Sequence, residues 1–322
     1  MFQAVWRGFK VKLDELKDNM RRHRHLIESQ ASIVQFQESL KLRKFAEGKF
    51  EDIQKEFVQA RWPAVRQWLT AYNSKKQQDF CAKKRAECPD SGQWLLTHDR
   101  FMNWLDPIYC TTPLLWLNGN PGAGKTILAS KVVEAVECLG NQYRLAYFYC
   151  KENDEKRNSF VAVARGILSQ LLMDNPDLVL QLYDKGNLQS GEAILLDQTM
   201  AKSLLDVALD SAKTTYLVID GIDECDRDER KEICRWFCER INQIPKEEFG
   251  NIRCLFVSQD DGAARHDLGM VPSIGISIAD TREDMRRFVA TWHAKMVSRF
   301  GQFDYPLTDM VISSARGELY GE

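Results

Sequence analysis

Eight consecutive residues have the types and the spacing that holding a polyphosphate requires. Gly119 to Thr126 read GNPGAGKT, which matches the pattern G-x-x-x-x-G-K-[ST]. Glycines let backbone N–H groups approach phosphate oxygens closely, and a helix that begins behind such a loop directs its positive end at the anion. Lys125 is predicted to reach the β- and γ-phosphates, and the Thr126 hydroxyl is predicted to bind Mg²⁺. The alternative is an ordinary Gly-Pro turn, which the strand-like and helix-like flanks disfavour.

Acidic residues follow a second apolar run, where residues 216–224 read YLVIDGIDE. A buried strand there would deliver Asp220 to the carboxyl edge of a sheet, where ligands of open α/β sheets bind. Asp220 is predicted to hold Mg²⁺ directly or through water, and Asp223 or Glu224 is predicted to orient or deprotonate an attacking water. The alternative is a strand that ends in an acidic turn.

A third apolar run ends in polar residues, because residues 253–260 read RCLFVSQD. In a phosphate-binding sheet, Ser258 or Gln259 would face the γ-phosphate and sense its hydrolysis; the alternative is an ordinary strand end. The full predicted nucleotide-binding set comprises Gly119, Asn120, Pro121, Gly122, Ala123, Gly124, Lys125, Thr126, Ile127, Ser258 and Gln259.

Short apolar runs alternate with helical patterns between residues 113 and 280. Strands are predicted at 114–117, 145–150, 216–219, 254–257 and 274–278, and helices at 126–136, 160–172, 201–209 and 231–241. Wholly apolar strands that alternate with helices favour a parallel sheet covered on both faces. The predicted fold class is α/β, a three-layer arrangement around a mostly parallel five-stranded sheet.

Four regions are predicted from the patterning along the chain. Residues 1–75 read as a coiled-coil-like helical arm or a helical hairpin, with a break at Gly48 and a kink or restart at Pro63. Residues 76–112 read as a polar linker followed by an amphipathic segment that packs on the next domain through Trp94, Leu95, Phe101 and Trp104. Residues 113–280 form the predicted core, and 281–322 a set of lid helices.

Composition limits the remaining possibilities. Residues 1–90 carry 19 Lys and Arg against 12 Asp and Glu, a net charge of +7, and residues 91–322 carry 25 against 34, a net charge of −9. The basic residues are interleaved with apolar ones, so a solvated helix face or an inter-domain contact is favoured over nucleic acid or membrane. Likewise RRHRH at 21–25 is read as a polar helix face rather than a metal site. Nine irregularly spaced cysteines predict reduced thiols and a cytoplasmic location.

Three stretches in order resemble the NACHT class of P-loop ATPases, and most of all its fungal members, which are NLR-like and are also grouped as nephrocystin-like N-terminal proteins. They are WLLTHDRFMNW with LLWLNGNPGAGKT, then YLVIDGIDEC, then CLFVSQDDGAARHDL. The resemblance implies an ATP/ADP-controlled switch with Mg²⁺, in which Asp220 holds the metal and Asp223 and Glu224 form a second acidic pair. It also implies a sheet in which the strand ending at Ser258 flanks the P-loop strand and the Asp220 strand lies beyond.

Two features depart from the family pattern. Many members carry Arg where Gln259 stands, so weaker nucleotide sensing or hydrolysis is expected unless Arg265 substitutes. The chain also ends at ARGELYGE, where members read A-x-G-M-F-L-Y-A and continue, which implies a fragment, an alternative product or a truncated relative. A signalling switch with slow hydrolysis, its partners bound through the arm or by self-association, is the leading functional hypothesis. A nucleotide-retaining scaffold and a fast-turnover ATPase are the alternatives, and a kinase is disfavoured.

Overall fold

The computed structural model of the chain describes residues 2–185, 193–210, 213–245 and 248–301. By internal contacts the chain divides into two compact units, Met1–Ala60 and Arg61–Glu322. The first unit holds most of one long helix, and the second holds the sheet with the helices around it.

Five strands and eleven α-helices follow one another along the described parts of the chain. The strands are β1 Leu114–Asn118, β2 Arg144–Tyr149, β3 Thr215–Asp220, β4 Ile252–Ser258 and β5 Ser273–Gly275. The first helices are α1 Phe2–Leu69, α2 Ser74–Ala86, α3 Gln93–Leu96, α4 Asp99–Leu105, α5 Lys125–Glu137 and α6 Phe160–Leu171. The later ones are α7 Pro176–Lys185, α8 Gln198–Leu209, α9 Arg227–Asn242, α10 Gly262–Leu268 and α11 Ile278–Phe300.

The five strands form one sheet with the order β2-β3-β4-β1-β5, and every described strand pair is parallel. The strand that ends at Ser258 therefore flanks the strand that leads into the loop at 119–126, and the Asp220 strand lies beyond it, as predicted. In this register Asn118 is opposite Ser258 and Asp220 is opposite Val257. Parallel strands bring their carboxyl ends to one edge, so the three sequence motifs meet there.

One layer of the core lies between the sheet, α5 and the two short helices α3 and α4. Leu115 and Leu117 of β1 pack there with Val132 of α5, and each is fully buried. Phe101 and Trp104 are fully buried in the same cluster, and Leu95 nearly so, which confirms that the amphipathic segment packs on the core. Burying a side chain of this size contributes roughly 1.5–3 kcal/mol, so this segment is held firmly beside the loop-bearing strand.

Part of the predicted linker is an ordered helix of the core unit. Helix α2 lies against α5, where Gln78 Nε2 donates to the carbonyl of Ser130 at 3.0 Å and Arg85 Nη1 donates to Glu134 at 2.7 Å. The linker prediction for residues 76–86 differs from this because α2 is polar overall and buries few residues. Its order comes from hydrogen bonds to distant residues, which the local pattern does not reveal.

Helix α1 continues without interruption through Gly48 and Pro63 to Leu69, so the expected break, restart and hairpin are not seen. A glycine costs a helix only about 1 kcal/mol. Proline costs about 3 kcal/mol, but the turn that follows it is anchored by Val65, Trp68 and Leu69, all buried in the second unit.

The carboxyl-terminal part differs slightly from its prediction. Strand β5 ends at Gly275, and Ile278 begins α11 because Ser277 and Asp280 form a capping box at its start. A helix is therefore present over 278–300, within the region predicted as a lid, while 302–322 lie outside the described residues. Within the described ranges, no helix combines the length and the apolarity that a membrane span needs.

Candidate functional site

The loop between β1 and α5 wraps around the point where a strand turns into a helix. Gly122 and Gly124 both have φ of 79°, a left-handed conformation that side chains with a Cβ rarely adopt. Gly119 is needed for a different reason, since a Cβ there would lie 3.0 Å from Cβ of Ile276. Helix α5 begins at Lys125 without a side-chain cap, so its first N–H groups are left for another acceptor. This is the geometry of an anion site at a helix N-terminus.

The ammonium group of Lys125 lies over this loop. Its Nζ donates to the carbonyl oxygens of Gly119 and Asn120, each at 2.9 Å. The side chain is half-buried, whereas Asn120 and Pro121 at the tip of the loop are exposed. A positive charge is therefore held at the mouth of the loop, next to the uncapped helix end.

Asp220 ends β3 beside the first turn of α5. Its side chain is 4% exposed and lies beside the Thr126 hydroxyl. Burial, above all, together with the nearby carboxylates of Asp223 and Glu224, raises the pKa of Asp220 to about 7, against the lowering effects of Thr126 and Lys125. Few nearby groups offset the cost of burying this negative charge, so a bound cation would stabilise the carboxylate. The predicted metal-binding pair, Thr126 and Asp220, is thus in direct contact.

Asp223 and Glu224 lie in a single turn of 3₁₀ helix, Ile222–Glu224, directly after Gly221. Gly221 has φ of 74°, and a Cβ there would lie 3.2 Å from the carbonyl oxygen of Cys150. Oδ1 of Asp223 is buried and has no hydrogen-bond partner among the described residues. Glu224 is exposed, and its Oε2 accepts the backbone N–H of Glu152 at 3.1 Å.

The Ser258 hydroxyl is already engaged by its neighbours. Ser258 is fully buried, and its Oγ accepts from Trp116 Nε1 and donates to the carbonyl of Gln259, both at 2.9 Å. That Ser258 or Gln259 faces the γ-phosphate stays a prediction, and these two bonds leave less of the Ser258 hydroxyl for a phosphate. Gln259 is half-buried at the same edge of the sheet, and Ile127 is half-buried in the first turn of α5.

Arg265 does not stand free beside this edge. Its Nε and one Nη donate to the two carboxylate oxygens of Asp260 at 2.6 and 2.8 Å, a two-bond pairing. The guanidinium is well exposed and directed to that partner. The expectation that Arg265 supplies the charge missing at Gln259 therefore requires this pair to break.

Three residues at the site had no signal in the sequence. Ile276 lies against Gly119, Glu152 holds Glu224 through its backbone, and Trp116 holds Ser258. Each acts through a contact between distant parts of the chain. The described residues contain no cluster of three or more His, Cys, Asp or Glu that could hold a metal. A single carboxylate beside a hydroxyl matches the way proteins hold Mg²⁺ that is bound mainly by phosphate oxygens and water.

The sequence is related to known proteins over its middle part. A curated relative, the vegetative incompatibility protein HET-E-1 of Podospora anserina, is 32% identical over 156 residues. That alignment covers 44% of this chain and 11% of the relative, so the chain spans about a ninth of that protein.

Among solved structures, the ORC2 protein of Aeropyrum pernix in complexes with ADPNP and ADP is similar, with a TM-score of 0.38 and 13% identity. The similarity covers 63% of this chain and 62% of that one. The Walker-type ATPase paby2304 of Pyrococcus abyssi has a TM-score of 0.36 and 12% identity, over 63% and 58% of the two chains. TM-scores and sequence identities this low identify no function.

The family described as nephrocystin 3, N-terminal matches residues 90–259, which is more than half of the chain. That range contains the loop at 119–126, the acidic residues after β3 and the end of β4. The match confirms the nephrocystin-like resemblance indicated by the three motifs. The chain belongs to the nephrocystin 3, N-terminal family.

Proposed function

We propose that this chain binds ATP with Mg²⁺ at the loop Gly119–Thr126 and acts as a nucleotide-dependent switch with slow hydrolysis. One observation carries the proposal: the loop joins a buried strand to an uncapped helix, with the Lys125 ammonium over it. Backbone N–H groups and an ammonium are the donors that recognise a polyphosphate. The choice of adenine rests on the NACHT resemblance.

Each of the site residues has a role in this proposal. Lys125 and the N–H groups of the loop bind phosphate oxygens, while Thr126 and Asp220 hold the metal. When bound, Mg²⁺ neutralises phosphate charge. Asp223 and Glu224 are the proposed groups that orient or deprotonate water. The unpartnered Oδ1 of Asp223 supports this, since a buried acceptor with no partner is costly unless a ligand satisfies it.

Slow turnover is supported by what surrounds these groups. Glu224 is tied to the backbone of Glu152, Arg265 is paired with Asp260, and Gln259 carries no charge. Transition-state charge in phosphoryl transfer is usually stabilised by an arginine. We therefore propose a switch rather than a fast-turnover ATPase, and a signalling role of the kind that the name of the vegetative incompatibility relative indicates.

The same observations favour a second candidate, a scaffold that retains nucleotide for structure only. The two are separated by comparing ATP with ADP at saturating concentrations. A scaffold predicts equal increases in melting temperature, because stabilisation then depends only on binding to the folded state. A switch predicts unequal increases or a nucleotide-dependent change in molecular mass in solution.

Helix α1 supplies the proposed surface for protein partners or self-association. Among the described side chains of Met1–Ala60, six large apolar ones are exposed. They are Leu16, Met20, Leu42, Phe45, Ile53 and Phe57. Replacing Leu42 and Phe45 together by Glu is expected to lower the sedimentation mass of the full chain if copies associate through α1. An unchanged mass in an associating chain would contradict this surface. The nine free cysteines support a reducing, cytoplasmic location.

The test of nucleotide binding is the Lys125→Ala variant. Loss of a charged partner to phosphate is expected to weaken ATP binding by about a hundredfold, the effect of a few kcal/mol. Lys83→Ala on α2 is the matched control, because Lys83 is an exposed lysine of the same unit away from the loop. Equal ATP affinity of both variants and the parent, measured by calorimetric titration, would overturn the proposal.

A further inference from the structure

A cavity lies at the β2 edge of the sheet, away from the loop at 119–126. Its volume is about 460 Å³. It lies where the end of α1, the connector to α2, the edge strand β2 and the end of α6 meet, all within the unit that begins at Arg61. Strands β3 and β4 separate β2 from β1, and the cavity shares no lining residue with the nucleotide site.

The walls of this cavity are aromatic and aliphatic. Trp62, Tyr72 and Tyr147 line it together with Leu69 and Leu172. Burial, together with the nearby carboxylates of Glu137 and Asp79, raises the pKa of Tyr147 to about 12, so its phenol stays neutral at ordinary pH. Cavities of about 300–1,000 Å³ with mostly apolar walls and a few polar groups are the usual form of small-molecule sites.

The polar groups of the lining are positive or neutral. Arg66 and Lys75 are exposed at the cavity, and neither makes a salt bridge within the described residues, although Lys75 interacts with the carboxylate of Glu137 at longer range. No acidic residue lines the cavity. Ser74, the first residue of α2, is 3% exposed, and its Oγ has no hydrogen-bond partner within the described chain. A buried hydroxyl without a partner is costly, and a ligand oxygen would remove that cost.

The connector itself is strained at the cavity. Thr70 has φ of 42°, one of two non-glycine residues with positive φ in the described chain, and it lines the cavity. Strain of this kind persists where surrounding structure enforces it, and it occurs often at ligand clamps. The connector leads directly into α2, which is bonded to the loop-bearing helix α5 through Gln78 and Arg85.

We propose that this cavity binds a small aromatic anion, a ring system that carries a carboxylate or sulfonate. Trp62, Tyr72 and Tyr147 contact the rings, and Arg66 with Lys75 binds the acidic group. Apolar burial supplies most of the affinity, while the charges of Arg66 and Lys75 select for a negative group.

The test uses two fluorescent probes that differ mainly in charge, 1-anilinonaphthalene-8-sulfonate and its neutral analogue N-phenyl-1-naphthylamine. The double variant Arg66→Gln, Lys75→Gln is expected to bind the sulfonate about tenfold more weakly and the neutral probe within about twofold of the parent. The matched control is Lys76→Gln, Lys83→Gln, which removes two exposed cations of α2 that do not line the cavity and should change neither affinity. An equal effect of both double variants on the sulfonate would overturn the proposal.

A cavity-filling variant provides a second arm. Ser169→Trp is expected to abolish binding of both probes while the far-ultraviolet circular dichroism stays that of the parent; retained binding in that folded variant would place the probe elsewhere. Should Ser169→Trp not fold, the exposed charge variants still decide the matter. Lys125→Ala is expected to bind the sulfonate as the parent does, because Lys125 does not line the cavity. A failure of the nucleotide proposal can therefore be told apart from a failure of this one. Competition by ATP would contradict a separate site.

Discussion

Replacing Asp220 by Asn is expected to raise the free energy of unfolding in the absence of nucleotide and Mg²⁺. The gain over the parent is expected to grow as the pH rises. Asp220 is 4% exposed, and burial raises its pKa from 3.8 to about 7. Between those pH values the folded chain keeps a proton on Asp220 that the unfolded chain has lost. Rising pH therefore favours the unfolded state, and the destabilisation is complete above pH 7 and absent below about pH 4.

The size of the effect follows from that difference. Roughly three pKa units correspond to about 4 kcal/mol in the free energy of unfolding. About 3 kcal/mol of this should develop between pH 5 and pH 8. An asparagine is neutral throughout that range and can still bond to the Thr126 hydroxyl. The Asp220→Asn variant should therefore not show this pH-dependent loss of stability.

The assay is urea unfolding of the parent and the variant without ligands at half-unit steps from pH 5 to pH 8. The difference between their unfolding free energies should grow with pH in favour of the variant. Asp79→Asn, which removes an exposed carboxylate of α2, is the matched control and should give a flat difference. A difference for Asp220→Asn that is independent of pH would refute the argument that burial disfavours the charged carboxylate.

Three further outcomes can be measured. Gly166→Ala should lower the free energy of unfolding by roughly 1–3 kcal/mol in urea, because the added Cβ would overlap the ring of Phe148. Arg253→Gln should lower the free energy of unfolding by roughly 3 kcal/mol in the same assay. The buried guanidinium donates to three main-chain carbonyls and lies 4.9 Å from the centre of the Tyr216 ring. Arg265→Ala should leave steady-state ATP hydrolysis within about twofold of the parent, because Arg265 is already paired with Asp260; a tenfold fall would show that it acts in hydrolysis instead.

The sheet and the loop at 119–126 could be predicted because their signals are local. Strands β1, β3 and β4 are short apolar runs that end in polar residues, and their observed bounds lie within about two residues of the predicted ones. Gly122 and Gly124 indicate a left-handed backbone conformation that few other residue types adopt.

The order of helix α2 and the state of Ser258 could not be predicted, because each depends on a contact between distant parts of the chain. Gln78 of α2 is buried by hydrogen bonds with Tyr149 and with the backbone of α5, neither of which is visible in a polar local sequence. The Ser258 hydroxyl is taken by Trp116 of the neighbouring strand. Sheet order alone does not show which way that hydroxyl turns.

The pairing of Thr126 with Asp220 could be predicted only in part. Each residue was identified by its own motif, and the sheet brings the two motifs to one edge. Their close approach and the raised pKa of Asp220 follow from the packing of α5 against β3, which only the structure supplies.

Amide hydrogen exchange with and without saturating Mg²⁺ and ATP tests the central claim most directly, because it reports where the nucleotide binds. The account predicts slower exchange of the backbone N–H groups of Gly122 to Thr126 in the parent chain and no such slowing in Lys125→Ala. Unchanged exchange over residues 119–126, at ATP concentrations that alter the rest of the parent chain, would contradict it.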